Sequence, residues 1–203
     1  MKNVKSSILR TASSLFARQG IRNVSTNAVA KECGISKKTL YLFFESKEIL
    51  LQEVVDSQIA RVNQFMSMFN GISPDAITEL NNFFGCIESL LDVFTPQFLN
   101  ETAKIYPAVH SRINGFRDEV VVPFIHQNIG RGMAEETYRT DLSKEDASDL
   151  YCWQLQHAME GHVDHPGMIN QLVSNINNAF LHSIVNSRGK KLLLTKPAET
   201  LAS

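Results

Sequence analysis

Five side chains in the last quarter of the sequence, His157, Glu160, His162, Asp164 and His165, have the types that ligate metals. Imidazoles and carboxylates that project from a helical bundle can hold zinc, iron or manganese. Their spacing matches neither HExxH nor a Glu-x-x-His pair, and His165 precedes Pro166 in what reads as a turn. The competing reading is a polar loop in which Asp164 caps a helix. A helical-bundle metal-binding enzyme or metal sensor built on residues 157–165 is therefore the alternative function. No GxSxG, Walker loop or GxGxxG occurs, so neither a nucleophile elbow nor a nucleotide-phosphate cradle is announced, and no cofactor is implied. Cys33, Cys86 and Cys152 are odd in number and lack CxxC spacing, which reads as reduced core cysteines.

A second set of residues suits the chemistry of phosphates and base edges. Residues 24–47, VSTNAVAKECGISKKTLYLFFESK, hold two short helical patterns that meet at Gly34. The small Ala30 lets two helices approach, and Gly34 can take the left-handed conformation that ends the first. Ser36 then caps the second, which the spacing predicts over Lys37 to Phe44. Leu40 and Phe43 or Phe44 are left for the core, with Lys37, Lys38, Thr39, Tyr41 and Leu42 outside, the layout of a recognition helix. Charge agrees with that chemistry. Residues 1–50 hold nine Lys or Arg against three acids, a net +6, whereas the remainder holds 11 bases and 18 acids, a net −7. A basic segment of this size can neutralise DNA phosphates while the acidic remainder faces away.

The elements that must carry these residues are all helical in pattern. Ile8, Ala12, Leu15 and Phe16 form one stripe of a helix over about Asn3 to Arg18, ended by Gln19-Gly20. Ser25 caps the short helix that carries Val29 and Ala30, and Ser46 caps a long one over Lys47 to about Phe69. Ser73 before Pro74 predicts the cap of a helix reaching Phe94, with Asp75, Glu79, Glu88 and Asp92 toward solvent. Pro96 to Ile105 and Pro107 to Ala134 follow, the latter with a kink or break near Val121 because Pro123 lies inside it. Ser143 to Asp146 resembles a capping box ahead of a helix to Gly161 that carries Leu150, Trp153, Leu155 and Ala158, and a final helix spans Met168 to about Asn186. There are no strand alternations or repeats. At 203 residues the chain divides into a DNA-binding head (1–46), a helical ligand-binding and dimerisation domain (47–187) and a loosely ordered tail (188–203). No run of eighteen apolar residues and no signal-like start appear, so a cytoplasmic protein without a membrane partner is expected.

Residues 8–51 resemble the N-terminal domain of the TetR family of bacterial transcriptional regulators. The resemblance rests on LFARQG at the end of the first helix, VAKECGISKKTLYLFF and SKEILL. It implies an all-α homodimeric repressor with a helix-turn-helix head, released from a near-palindromic operator when a small-molecule effector binds the C-terminal bundle. The last two helices, about 143–161 and 166–186, would form the dimer. By position, Ser25, Lys37, Lys38, Thr39, Tyr41 and Lys47 match DNA-contacting residues, with Lys38 where a small residue is common. For the effector, Phe65, Phe84, Phe94 and Trp153 are candidate cavity walls, together with Phe98, Phe116 and Phe124. Tyr106, His110, His126 and His157 are the candidate polar groups.

Overall fold

The apolar stripe of the first helix closes a small N-terminal head. In a computed structural model that describes residues 2–69, 72–161 and 166–195, α1 (Lys2–Gln19) buries Ile8, Ala12, Leu15 and Phe16. It packs on α2 (Thr26–Glu32) and on the start of α4 (Lys47–Phe69), where Leu50, Leu51, Val54 and Val55 are sealed from solvent. Ser25 caps α2 by accepting from the Ala28 N–H at 3.1 Å. The helix ends on Gly34 at φ +66°, and the Ile35 N–H reaches back to the Ala30 carbonyl at 3.0 Å. Ser36 then caps α3 (Lys37–Tyr41).

Helix α3 stops at Tyr41 rather than at the expected Phe44. Leu42 and Phe43 fold into tighter turns onto the Thr39 and Leu40 carbonyls at 3.2 and 3.0 Å, which carries Phe44 into the core and leaves Ser46 to cap α4. Two helix caps in one short stretch force the chain to turn sooner than periodicity suggests.

The body continues with α5 (Ala76–Leu90), α6 (Pro96–Ile105) and α7 (Pro107–Phe116). Asp75, not Ser73, caps α5, its carboxylate accepting from the Thr78 N–H at 2.8 Å. The Ser73 carbonyl instead accepts from Arg131. Helix α5 ends four residues early because Val93 and Phe94 both turn back on the Leu90 carbonyl, so that Thr95 can cap α6. Near Val121, where a kink or a break was expected, a π-helical turn, Arg117–Val121, joins α7 to α8 (Val122–Ala134) without interruption, so the break does not occur. The proline at 123 cannot donate to the usual i−4 carbonyl. A widened turn absorbs that loss, and the Val122 N–H bonds to the Arg117 carbonyl.

Helices α9 (Lys144–Gly161), α10 (Pro166–Ile184) and α11 (Ser187–Thr195) complete the bundle. The expected loose tail is corrected over 188–195, which is helical. Asn186 accepts from the Arg188 and Gly189 N–H groups at 2.9 and 3.0 Å, and Leu192 and Leu193 pack on the core. Residues 196–203 lie outside the described residues. Glu79 and Glu88 are also not solvent groups. Glu79 accepts from Asn128 at 2.7 Å and from Arg131 at 3.0 Å, and Glu88 accepts from Asn177, which in turn accepts from the buried Tyr151 hydroxyl at 2.7 Å. The fold is all-α, and among the described residues the only β pairing is the isolated bridge between Tyr138 and Val185.

Candidate nucleic-acid interface and ligand cavity

The first turn of α3 presents Lys37 and Lys38 to solvent while Leu40, on its other side, is fully buried. Rotating the helix would expose Leu40, so core packing fixes which side chains point outward. Thr39 is tied to the cap, its hydroxyl 2.8 Å from that of Ser36. Tyr41 is 40% exposed, and its hydroxyl lies 3.2 Å from that of Thr26, which follows Ser25 at the start of α2. The Lys37 ammonium sits 5.7 Å from the Tyr41 ring centroid. Five of the six expected contact residues thus belong to one small outward surface built from the N-terminus of α2 and from α3. Leu42, 78% exposed, extends it.

Lys47 stands apart from that surface. Its ammonium donates to the Ile21 carbonyl and feels the Glu101 carboxylate of α6. Burial pulls its pKa below the usual lysine value, and Glu101 works in the opposite direction. The same Glu101 accepts from the Arg22 N–H at 3.0 Å, so α6 grips the loop between α1 and α2. Neither contact is visible in local sequence, because residues 22 and 101 are far apart in the chain.

The expected cavity residues are divided among several places. Phe94, Phe116 and His110 line one cavity of about 430 Å³ between α5, α6, α7 and α9, within the range of small-molecule sites. Phe65 and Phe84 instead border a wider groove of mixed polarity between α4, α5 and α10. Phe98 stacks under Phe94, and Phe124 stacks on Phe83. Tyr106 joins α6 to α7, half-buried, with Glu48 and Glu101 raising its pKa beyond the effect of burial. One expected wall residue, Trp153, and two expected polar groups, His126 and His157, face outward and are corrected here. His126 pairs with Glu145 at 2.9 Å on the surface, and Trp153 is 61% exposed and stacks on His157 at 5.3 Å. On α9 the inward positions go to Tyr151, Cys152, Leu155 and Met159, which puts Trp153 and His157 on the opposite side.

Arg117 and Gln156, which the sequence did not single out, line the cavity together with Glu160, expected only as a candidate metal ligand. Arg117 donates to Asp118 at 2.7 Å and to Gln156 at 2.9 Å, and Gln156 donates to Glu160 at 2.9 Å. The i, i+4 spacing of Gln156 and Glu160 was the available signal, although the π-helical turn that presents Arg117 was not. Burial pushes the Cys86 thiol up to about 12 and the Cys152 thiol to about 11, so both remain protonated and unreactive at neutral pH. Among the described residues no group of three or more His, Cys, Asp or Glu could hold a metal ion, while His162, Asp164 and His165 lie outside the described residues. No helix among the described residues is long and apolar enough to cross a membrane.

Comparison with known proteins agrees with this geometry. Residues 8–54 match the sequence profile of the bacterial regulatory proteins of the tetR family. An uncharacterized HTH-type transcriptional regulator of Bacillus subtilis, YuxN, is 43% identical over 56 residues, which span 28% of this chain and 19% of that protein. The match to such curated relatives is therefore confined to a fraction of their length. A TetR-family regulator from Agrobacterium tumefaciens shares the fold at a TM-score of 0.74 and 15% identity, covering 91% of this chain and 99% of the other. A regulator from Saccharomonospora viridis in complex with choline does so at 0.68 and 19% identity, over 92% and 100%.

Proposed function

We infer that this chain, whose residues 8–54 form a TetR-family DNA-binding domain, is a ligand-responsive transcriptional regulator that acts as a homodimer on a near-palindromic operator. The observation that carries this reading is the outward pair Lys37 and Lys38 on a short helix whose opposite face is locked by Leu40. Lys38 and Thr39 read base edges in the major groove, while Ser25, Tyr41, Lys37 and Lys47 bind phosphates. Lys47 must leave the Ile21 carbonyl to do so. The regulator is a repressor, and an effector in the α5–α6–α7–α9 cavity releases it. A neighbour of the same fold in complex with choline supports a small-molecule site in such a bundle. The exposed Leu150 and Trp153 of α9 and Met168 of α10 support dimerisation through these helices.

Selection of genomic fragments by the purified protein tests the reading. Half-sites about 34 to 36 Å apart, or a multiple, are expected among recovered fragments, and recovery of random sequence alone would sink it. On the selected operator, Lys38→Ala should relax preference at one base pair, worth about 1 to 3 kcal/mol of discrimination. Lys37→Ala should weaken all sequences alike and lower the salt slope by about one unit.

A further inference from the structure

Helix α7 brings His110 to the wall of the cavity, where its Nδ1 lies 3.3 Å from the hydroxyl of the fully buried Thr102 on α6. The direction of that bond is decided by a second one. Thr102 has a single hydroxyl proton and donates it to the Leu99 carbonyl at 2.8 Å, an oxygen that can only accept. The Thr102 oxygen must therefore accept from His110, which fixes the imidazole as the Nδ1–H tautomer. Its Nε2 then carries a lone pair on the ring edge left for the cavity.

The charges around the cavity select further. Arg117 is the only Lys or Arg among the described lining residues, and Asp118 already offsets it while Gln156 takes a second N–H. Glu160 lies beyond Gln156 on the same side. An anion would face a guanidinium already offset by Asp118 and the Glu160 carboxylate, while a cation, though drawn to Glu160, would have to shed its hydration against a mainly apolar wall. The rest of the wall is mainly apolar, with Ile87, Leu90, Phe94, Leu99 and Met159.

We propose that the cavity takes a neutral, apolar molecule bearing a hydroxyl, such as a phenol or alcohol, whose O–H donates to Nε2 of His110. This rests on the reading of the cavity as the effector site, and it names the chemistry of that effector. Thr102, held by Leu99, is the positioning residue that keeps the acceptor nitrogen turned toward the ligand.

Four probes of one shape test it on the full-length chain: 2-naphthol, 2-methoxynaphthalene, 2-naphthoate and 2-naphthylmethylammonium, titrated calorimetrically at neutral pH. 2-Naphthol should bind about three- to tenfold more tightly than 2-methoxynaphthalene, the worth of one hydrogen bond, and both charged probes more weakly still. In His110→Phe that preference should vanish while 2-methoxynaphthalene binding persists. Naphthoate or the ammonium binding best, or an undiminished naphthol preference in His110→Phe, overturns the proposal and leaves the cavity as an effector site of other chemistry. Failure of all four to bind the wild-type chain overturns both the proposal and the effector reading. Nitrogen-15 shifts of the wild-type imidazole give a check independent of any variant's folding: a protonated Nε2 with a bare Nδ1 would overturn the proposal.

Discussion

At the scale of the residue, two side-chain environments lead to measurable consequences. Burial lowers the pKa of His110 below 6.5 and Arg117 adds to that, against the opposing field of Glu160. Between the folded value and 6.5 the unfolded chain binds the extra proton, so stability is fully present above about pH 6.5 and is lost as pH falls through the folded pKa. His110→Gln should flatten that part of the curve in urea melts at pH 7 and pH 5. An unchanged slope would place the acid sensitivity elsewhere. Gly34 offers a second case. A methyl group there would meet nothing within 4 Å, so Gly34→Ala tests the left-handed backbone alone. The expected loss is about 1 to 2 kcal/mol by chemical denaturation. Gly34 could be identified from sequence because a left-handed helix end depends on the residue itself. The tautomer of His110 could not, because it depends on Thr102 and Leu99 in another helix.

At the scale of the element, α6 shares one face with the cavity, through Leu99, Asn100 and Ala103, and another with the head, through Gln97 and Glu101. A ligand that displaces α6 thereby changes the surroundings of Arg22 and Lys47. Glu101→Gln keeps an acceptor for the Arg22 N–H and removes the charge beside Lys47. It should tighten binding to operator and non-operator DNA alike by a few-fold and raise the salt slope by up to about one unit as Lys47 becomes free for phosphate. Unaltered affinity and slope in a salt titration would show that Glu101 does not compete for that ammonium. Elements bounded by local caps were legible in the sequence. Ser25, Ser36 and Ser46 each accept the N–H three residues on, as expected, and Thr95, to which no cap was assigned, does the same, while α4 and α6 span the expected ranges. Boundaries set by distant partners were not legible. Arg131 takes the Ser73 carbonyl while Asp75 caps α5, and Thr137 holds the Asn186 N–H ahead of α11, although the Asn186 side chain that caps α11 is itself a local signal. Alternation along α9 likewise could not say which of two apolar faces, Tyr151 with Leu155 or Leu150 with Trp153, meets the bundle.

At the scale of the whole molecule, that second face of α9 would decide how two heads are held in the proposed dimer. Leu150 is 54% exposed and Trp153 61%, so neither contributes much to the core of a single chain. Buried between two copies, Trp153 would add the large, rigid area that dominates interfaces, and the polar surroundings of Asp149 and Gln156 would form its rim. Each head alone has one short helix for the major groove, and useful affinity then depends on engaging two half-sites at once. In the proposed dimer the tether between heads would supply that gain without any new DNA contact. Leu150→Ser combined with Trp153→Ser should leave the thermal midpoint of the chain's helical signal at low concentration nearly unchanged, since surface substitutions of this kind usually lie within about 0.5 kcal/mol. Light scattering should then report a monomer. Affinity for the palindrome should fall by about 100-fold or more, toward the weak affinity for an isolated half-site, which itself should not change. A dimer that survives the double substitution, or a half-site affinity that falls with the palindrome's, would move the dimer contact away from this face of α9.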